Sequence, residues 1–217
     1  MTDFDHARRV MVDNQLRTSG ITDRRLLVAM GTVPREAFVP EARRGLAYID
    51  QPVPLSANRM LGAAAPLAKL LQLAEIGGSD RVLDLGCATG YSAAVIGALA
   101  ASVVAVEPDA TLAATARQAL AAQGATNVTV IDGPLETAGK AKGPYDVIII
   151  EGVIETLPGA LFDQLTPDGR LVALISENGR PAVAHLYTRS GKGISALRTF
   201  DATLPPLPAA REDRFVF

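Results

Sequence analysis

The segment Asp84-Leu85-Gly86-Cys87-Ala88-Thr89-Gly90-Tyr91 lies between an apolar run, Val82-Leu83-Asp84-Leu85, and a helical stretch read over Ala93–Ala100. A strand that turns through glycine straight into a helix admits few architectures. Gly86 permits a sharp turn at the strand's carboxyl end, and Gly90 permits close approach of a ligand or tight helix packing. Further apolar strands are predicted at Val103–Val106, Val128–Ile131, Val147–Ile150 and Leu171–Ile175, with helices over Leu112–Ala122 and near Leu157–Leu165. Such alternation implies a parallel sheet covered on both faces. Gly124 and Gly169 sit where a helix should end or a turn should occur. At the end of the chain, Val183–Thr188 and Ile194–Phe200 flank Arg189-Ser190-Gly191-Lys192-Gly193, a hairpin signal. The predicted fold is α/β: a doubly wound sheet, mostly parallel, closed by a C-terminal antiparallel hairpin.

The first third has a different texture. Phe4–Asn14 reads as a helix with Ala7, Val10, Met11 and Asn14 on a shared face. A second helix starts near Thr22 as N-cap, with Leu26, Leu27 and Met30 at helical spacing. Pro34, Pro40, Pro52 and Pro54 then predict extended loop with short helical turns, before helical periodicity returns over Ala63–Leu73. The expected organisation is a helical and loop extension over residues 1–75, packed on the substrate side of a core over residues 76–217, the two forming one unit. The chain's 217 residues, 48% of them apolar, suffice for such a core.

Charge and cysteine content narrow the function. The net charge is −2, without the basic excess of a dedicated nucleic-acid binder. The arginines of the first third (Arg8, Arg9, Arg17, Arg24, Arg25, Arg35, Arg43, Arg44) are interleaved with Asp13, Asp23, Glu36 and Glu41, and read as solvated helix faces, with an anionic partner as the alternative. A single cysteine, Cys87, excludes an intramolecular disulfide and is compatible with a reducing cytoplasm, the expected location. No apolar run approaches the roughly 20 residues that cross a membrane. His6 and His185 are far apart, and no cysteine–histidine cluster suggests a metal site. The sequence does not specify an oligomeric state.

The chemistry is carried by acids at strand ends. The turn lacks the third glycine of the dinucleotide fingerprint and has Asp84 two residues before its first glycine. A carboxylate there suits a cationic ammonium, such as that of S-adenosylmethionine, and would repel a pyrophosphate. Glu107 ends the next strand, about 20 residues on, where an acid is placed to bind ribose hydroxyls. Asp132-Gly133 ends the third strand, within reach of an adenine amino group. Each has a plainer reading: Asp84 as a turn cap, Glu107 as a solvated strand-end acid, Asp132-Gly133 as an ordinary turn dipeptide. Cys87 reads as a small buried filler, since no base adjoins it in sequence.

Several longer segments resemble the protein-L-isoaspartate O-methyltransferase family. They are Met11-Val12-Asp13-Asn14-Gln15-Leu16-Arg17 followed by Gly20-Ile21-Thr22-Asp23, Val33-Pro34-Arg35-Glu36-Ala37-Phe38-Val39-Pro40, and Ala47-Tyr48-Ile49-Asp50. Tyr145-Asp146-Val147-Ile148-Ile149, and Leu157-Pro158 with Gln164 through Leu171, are similar too but also occur in other methyltransferases. The resemblance implies a class I methyltransferase, Rossmann-like fold and S-adenosyl-L-methionine as cofactor. It implies methyl transfer to isoaspartyl carboxylates of damaged protein, a repair activity whose partner is a protein or peptide substrate. It places Asp84, Gly86, Cys87, Ala88, Thr89, Gly90, Tyr91 and Ser92 around the methionine part of the cofactor, Glu107 on the ribose, and Asp132 with Gly133 at the adenine. Asn58, Arg59, Leu61 and Gly62 would line the acceptor side.

The chain departs from the family in that acceptor loop. Aligned without a gap, Pro52–Gly62 puts Arg59 at the family's Gln, Met60 at its Thr and Gly62 at its catalytic Ser, while Ser56 falls six residues too early. Ala88 replaces a glycine, and Glu151, just after the fifth strand, replaces a small or hydroxyl residue. A carboxylate nucleophile is already ionised at neutral pH, since carboxyl pKa values lie near about 4, so no general base is required. The site's main contribution is alignment, and losing one positioning hydroxyl costs on the order of 10²–10³ in rate if it acts like an oxyanion-hole donor. Arg59 is read either as a carboxylate clamp or as a surface residue of a loop retuned for another acceptor. Two further functions stay open from sequence: a methyltransferase for a small molecule, another protein or RNA, and a cofactor-binding module without turnover.

Overall fold

The computed structural model describes residues 3–177, 179–191 and 193–207. The chain begins with α1 (Phe4–Met11) and α2 (Arg24–Thr32), passes a two-stranded ribbon of β1 (Val53–Pro54) and β2 (Met60–Leu61), and enters α3 (Ala64–Ala74). There follow β3 (Arg81–Leu85), α4 (Tyr91–Gly97), β4 (Ser102–Glu107), α5 (Ala110–Ala122), β5 (Val128–Asp132), β6 (Tyr145–Ile154), β7 (Leu165–Ile175), β8 (Val183–Ser190) and β9 (Gly193–Asp201). The seven longer strands form one sheet in the order β5-β4-β3-β6-β7-β8-β9. The first five are parallel and the last two join antiparallel. The expected hairpin is present, and its pairing runs through to Ser190 and Gly193, so its turn is tighter than the five-residue loop read from sequence.

Local chemistry shifts several boundaries. Helix α2 starts after Asp23, whose carboxylate accepts from Arg25 N (2.8 Å) and Leu26 N (3.3 Å), as an N-cap does. Thr22, the expected cap, is instead held through its own N–H by Gln72 Oε1 at 2.8 Å. Helix α1 ends at Met11 and continues as a π turn over Val12–Leu16. Met11, Val12 and Leu16 are inside, while Val10 and Asn14, read onto one face with Met11, are exposed, and for Asn14 the extra residue of that turn rotates the buried face. The helix expected near Leu157–Leu165 is a short 3₁₀ segment, Gly159–Gln164, started by Pro158 and cut off by β7.

That shortening shapes the layers. Alternate strand residues point to opposite faces. Val82, Val147, Ile149, Val172 and Leu174 pack with all five α-helices and the N-terminal segments. Leu83, Leu85, Ile148, Ile150, Leu171 and Ala173 face the other way, under Leu161, Leu165 and Leu207, with Leu135, Ala138, Leu157 and Phe162 alongside. The expected two-sided cover exists, but its second side is turns and 3₁₀ segments rather than helices.

Two features position the site. Opposite β7, Ile149 pairs with Val172 and Val153 with Leu174, so three residues of β6 (Ile150, Glu151, Gly152) face the one residue Ala173. Such a bulge bends a strand and re-aims its side chains. The chain after β9 then returns across the bulge: Val153 N donates to Pro205 O (3.2 Å) and Leu207 N to Val153 O (3.1 Å). Leu204 and Leu207 are buried there. A Cβ on Gly152 would lie 2.6 Å from Leu207 Cγ and 2.7 Å from Pro205 O. We therefore expect Gly152→Ala to lower stability by about 1–3 kcal/mol, the range for overpacking; urea unfolding of the two proteins checks it.

Candidate active site

The carboxyl ends of β3, β4 and β6 meet beneath the turn that leaves β3. Gly86 (φ 89°), Ala88 (φ 50°) and Gly90 (φ 94°) all take left-handed conformations, which fold the turn back over the strand ends. Ala88 adopts its unfavourable angle while its N–H is anchored on Glu107 Oε2 at 2.8 Å. Gly90 packs against α5, where a Cβ would sit 3.2 Å from Ala116 Cβ.

Glu107 ends β4 fully buried. Its Oε2 accepts from Ala88 N and from Arg59 Nη2 (2.7 Å), and its Oε1 accepts from Asp109 N (3.1 Å). Asp109 in turn caps α5 through Thr111 N and Leu112 N. Arg59 arrives on the β1–β2 ribbon, where Leu55 N and Ser56 N both donate to its carbonyl. Its guanidinium is buried, with Nη2 also donating to Gly86 O at 3.0 Å. The structure thus excludes the surface reading of Arg59 and changes the clamp reading. The guanidinium expected to face an acceptor is committed to the acid expected to face a ribose.

Asp84, fully buried, accepts from Ser92 Oγ at 3.0 Å. Glu151 lies on the same face of the sheet, two residues beyond Ile149, the register partner of Asp84. The two carboxyls are close enough to share a hydrogen bond. Burial raises the Asp84 pKa to about 7, with the charge of Glu107 adding to the rise and the bonds from Ser92 and Glu151 opposing it. Burial, and then the charge of Asp84, raise Glu151 well above the carboxylate range. Asp84 Oδ1, Glu151 Oε1 and Arg59 Nε are buried with no hydrogen-bond partner among the described residues. Two facing carboxyl oxygens without a donor are what a shared proton reconciles.

The remaining expected residues have varied placements. Thr89 is buried and donates to Phe38 O at 2.6 Å, tying the turn to the N-terminal extension. Tyr91 is buried with its ring 4.7 Å under the Arg35 guanidinium and edge-on to Phe38. Cys87 is buried and burial raises its thiol pKa, in keeping with a filler. Asp132 and Gly133 lie at the adjacent strand end, where Arg117 Nη2 holds the half-exposed Asp132 carboxylate at 2.5 Å. Asn58 is exposed at the ribbon's tip, Leu61 is buried, and Gly62 is half-buried. Among the described residues, no cluster of His, Cys, Asp and Glu is arranged to hold a metal.

Four contributing residues were not among the expected site residues. Arg35 is buried, donating to Ala47 O at 2.7 Å and to Gly62 O, and so fixes the acceptor loop. Its place in Val33–Pro40 was the available signal. Glu151 was visible only as a departure from the family. Leu204 and Leu207 had no local signal, because what they cover (Gly62, Gly86 and Gly152) lies far from them in sequence. A Cβ on Gly62 would meet Leu204 Cδ2 at 2.5 Å, and one on Gly86 would meet Leu207 Cδ2 at 2.6 Å.

Arg59, Gly62, Gly86, Ala88, Glu151 and Leu204–Leu207 enclose a cavity of about 30 Å³, the share of one water in the liquid. In kind, the residues fit S-adenosylmethionine: a backbone turn, a buried acid at the second strand end, and carboxyls for a cation. Arg59 and Leu207 both border the turn, Arg59 through its bond to Gly86 O and Leu207 beside Gly86.

A family model described as Protein-L-isoaspartate(D-aspartate) O-methyltransferase matches residues 7–203. The protein-L-isoaspartate O-methyltransferase of Koribacter versatilis is 41% identical over 187 residues, which cover 86% of this chain and 83% of the relative. That of Methanoculleus marisnigri is 36% identical over 185 residues, 85% of this chain and 84% of the relative. Among solved structures, a protein-L-isoaspartate O-methyltransferase superposes with a TM-score of 0.80 at 21% identity, over 94% of this chain and 65% of the other. A Plasmodium falciparum beta-aspartate methyltransferase, in complex with S-adenosyl-L-homocysteine, gives 0.79 at 22% identity over 93% and 98%. These two establish the fold.

The geometry generates two expectations. Arg59→Ala leaves Glu107 buried and unpaired, which should cost about 3–5 kcal/mol of stability without cofactor. Added S-adenosylhomocysteine should then raise the melting temperature more in the variant than in the parent, because nothing competes for Glu107; equal shifts would count against the competition. Separately, the folded state holds a proton on Asp84 up to about pH 7, whereas the unfolded chain releases it near the ordinary carboxyl value of 3.8. The pair's contribution is therefore full below that ordinary value and lost as pH rises towards about 7. Urea midpoints should fall over that range, and Asp84→Asn should flatten the slope.

Proposed function

The chain belongs to the protein-L-isoaspartate(D-aspartate) O-methyltransferase family, and from that premise we propose that it methylates isoaspartyl carboxylates of damaged protein at the cavity between Arg59, Gly62 and Glu151. It is an S-adenosylmethionine-dependent methyltransferase. The observation that carries the reading is the set of buried strand-end acids beneath a left-handed glycine turn, reached by the loop that aligns with the family's acceptor loop.

In this reading the turn from Gly86 to Gly90 and Ser92 receives the methionine part of the cofactor. Glu107 takes the ribose hydroxyls in exchange for the Arg59 ion pair. Asp132 and Gly133 lie on the adenine side, with the Asp132 carboxylate shared with Arg117. The cofactor supplies an electrophilic methyl group on a sulfonium. An oxygen lone pair of the acceptor carboxylate forms the new O–CH₃ bond while the C–S bond breaks, its electrons passing to sulfur. No proton moves, so the protein's role is to align the oxygen and to exclude water. Residues 1–75 are proposed to form the acceptor side, since Phe38 O, the β1–β2 ribbon and Arg35 all close on the turn. Among the described residues no helix is long and apolar enough to cross a membrane.

Incubation with methyl-labelled cofactor and a peptide containing isoaspartate, against the same peptide with normal aspartate, tests the substrate. Base-labile label on the isoaspartyl peptide alone is expected; equal label on both, or none, would sink the claim.

A further inference from the structure

The acceptor carboxylate is an anion, and the family's serine, which would hydrogen-bond it, is here Gly62. A Cβ at position 62 would lie 2.5 Å from Leu204 Cδ2, so a side chain there requires Leu204 to move. Two polar atoms bordering the same cavity lack partners, Glu151 Oε1 and Arg59 Nε. Arg59 Nη2 is already bound to Glu107 and Gly86. The bulge in β6 places Glu151 there, at the end of a strand that otherwise carries only apolar residues from Val147 to Ile150.

We infer that Glu151 is an acceptor-positioning residue: its carboxyl group donates a hydrogen bond to the methyl-accepting carboxylate, in the role of the hydroxyl that position 62 lacks. The inference rests on the isoaspartyl reading above. Glu151 must be protonated to do this, because an ionised carboxylate would accept rather than donate and would repel the substrate. The groups facing it favour that state. Asp84 on β3 and Glu107 on β4 contribute negative charge, Ser92 on α4 is a neutral hydroxyl, and Arg59, the cation facing it, is paired with Glu107. Glu151 keeps its proton through the transfer, so the balance of the methyl-transfer step is unchanged. A small residue at this position would leave the acceptor without that donor.

The test compares wild type with Glu151→Gln and Glu151→Ala, by turnover of an isoaspartyl peptide across pH and by binding of that peptide to protein saturated with S-adenosylhomocysteine. Gln keeps a donor and cannot ionise; Ala has none. Glu151→Ala is expected to lose about 10²–10³ in kcat/KM, as for a single lost oxyanion donor, and to bind the peptide more weakly. Glu151→Gln is expected to lose less than about tenfold. Wild-type turnover and peptide binding should both decline towards alkaline pH, and in Glu151→Gln that decline should vanish. Should Glu151→Ala fail to fold, the pH comparison of wild type with Glu151→Gln decides alone. An Ala variant as active as wild type, or a Gln variant with the wild-type pH profile, overturns the role of Glu151 and leaves the substrate intact. A wild type that binds S-adenosylhomocysteine but neither binds nor methylates the isoaspartyl peptide overturns both.

Discussion

Three carboxyl groups, Asp84, Glu107 and Glu151, end three adjacent parallel strands, and Arg59 is the guanidinium that reaches them. Their unequal environments govern the site. Glu107 has a cation and two backbone N–H donors, which satisfy both its buried oxygens. Asp84 and Glu151 have only Ser92 and each other, and burying two charges without a cation is costly enough that a proton takes its place. The strand ends thus hold one committed anion and one proton-sharing pair.

Committing Arg59 in this way links the β1–β2 ribbon to the carboxyl ends of β3 and β4. The ribbon that carries Arg59 also presents Gly62, and Arg35 draws the Gly62 carbonyl towards the core. Leu204 and Leu207 complete the enclosure from the far end of the chain. Glycines at 62, 86 and 152 are the counterpart of those two leucines. The loss of a serine at 62 and the small residues beneath the C-terminal segment are therefore one packing solution rather than independent substitutions.

Much of this was legible in the sequence, and the reasons are local. The turn could be read because glycine at the carboxyl end of a strand has few uses, and the acids because each directly follows an apolar run. The hairpin and most helices followed from periodicity. The errors were also local in origin. Thr22 and Asp23 are both acceptable caps, and the bond that Thr22 N–H donates to Gln72 Oε1, about fifty residues away, decided between them. The helix expected near Leu157 lost to Pro158 and to the early start of β7. The π turn after α1 has no compositional mark, so the exposed Asn14 was read onto the face of Met11.

The sequence by itself determined the layer architecture, the glycine turn, the strand-end acids and the missing serine, because each depends on residue type and spacing within a few residues. Only the tertiary structure decided what those groups touch. That Arg59 faces Glu107, that Glu151 comes beside Asp84, and that Leu204 occupies the space of a side chain at 62 all join positions between 48 and 142 residues apart. Such pairings follow from strand order, the β6 bulge and the path of the chain beyond β9. No local periodicity encodes them, because the energy that fixes them comes from water excluded between distant segments.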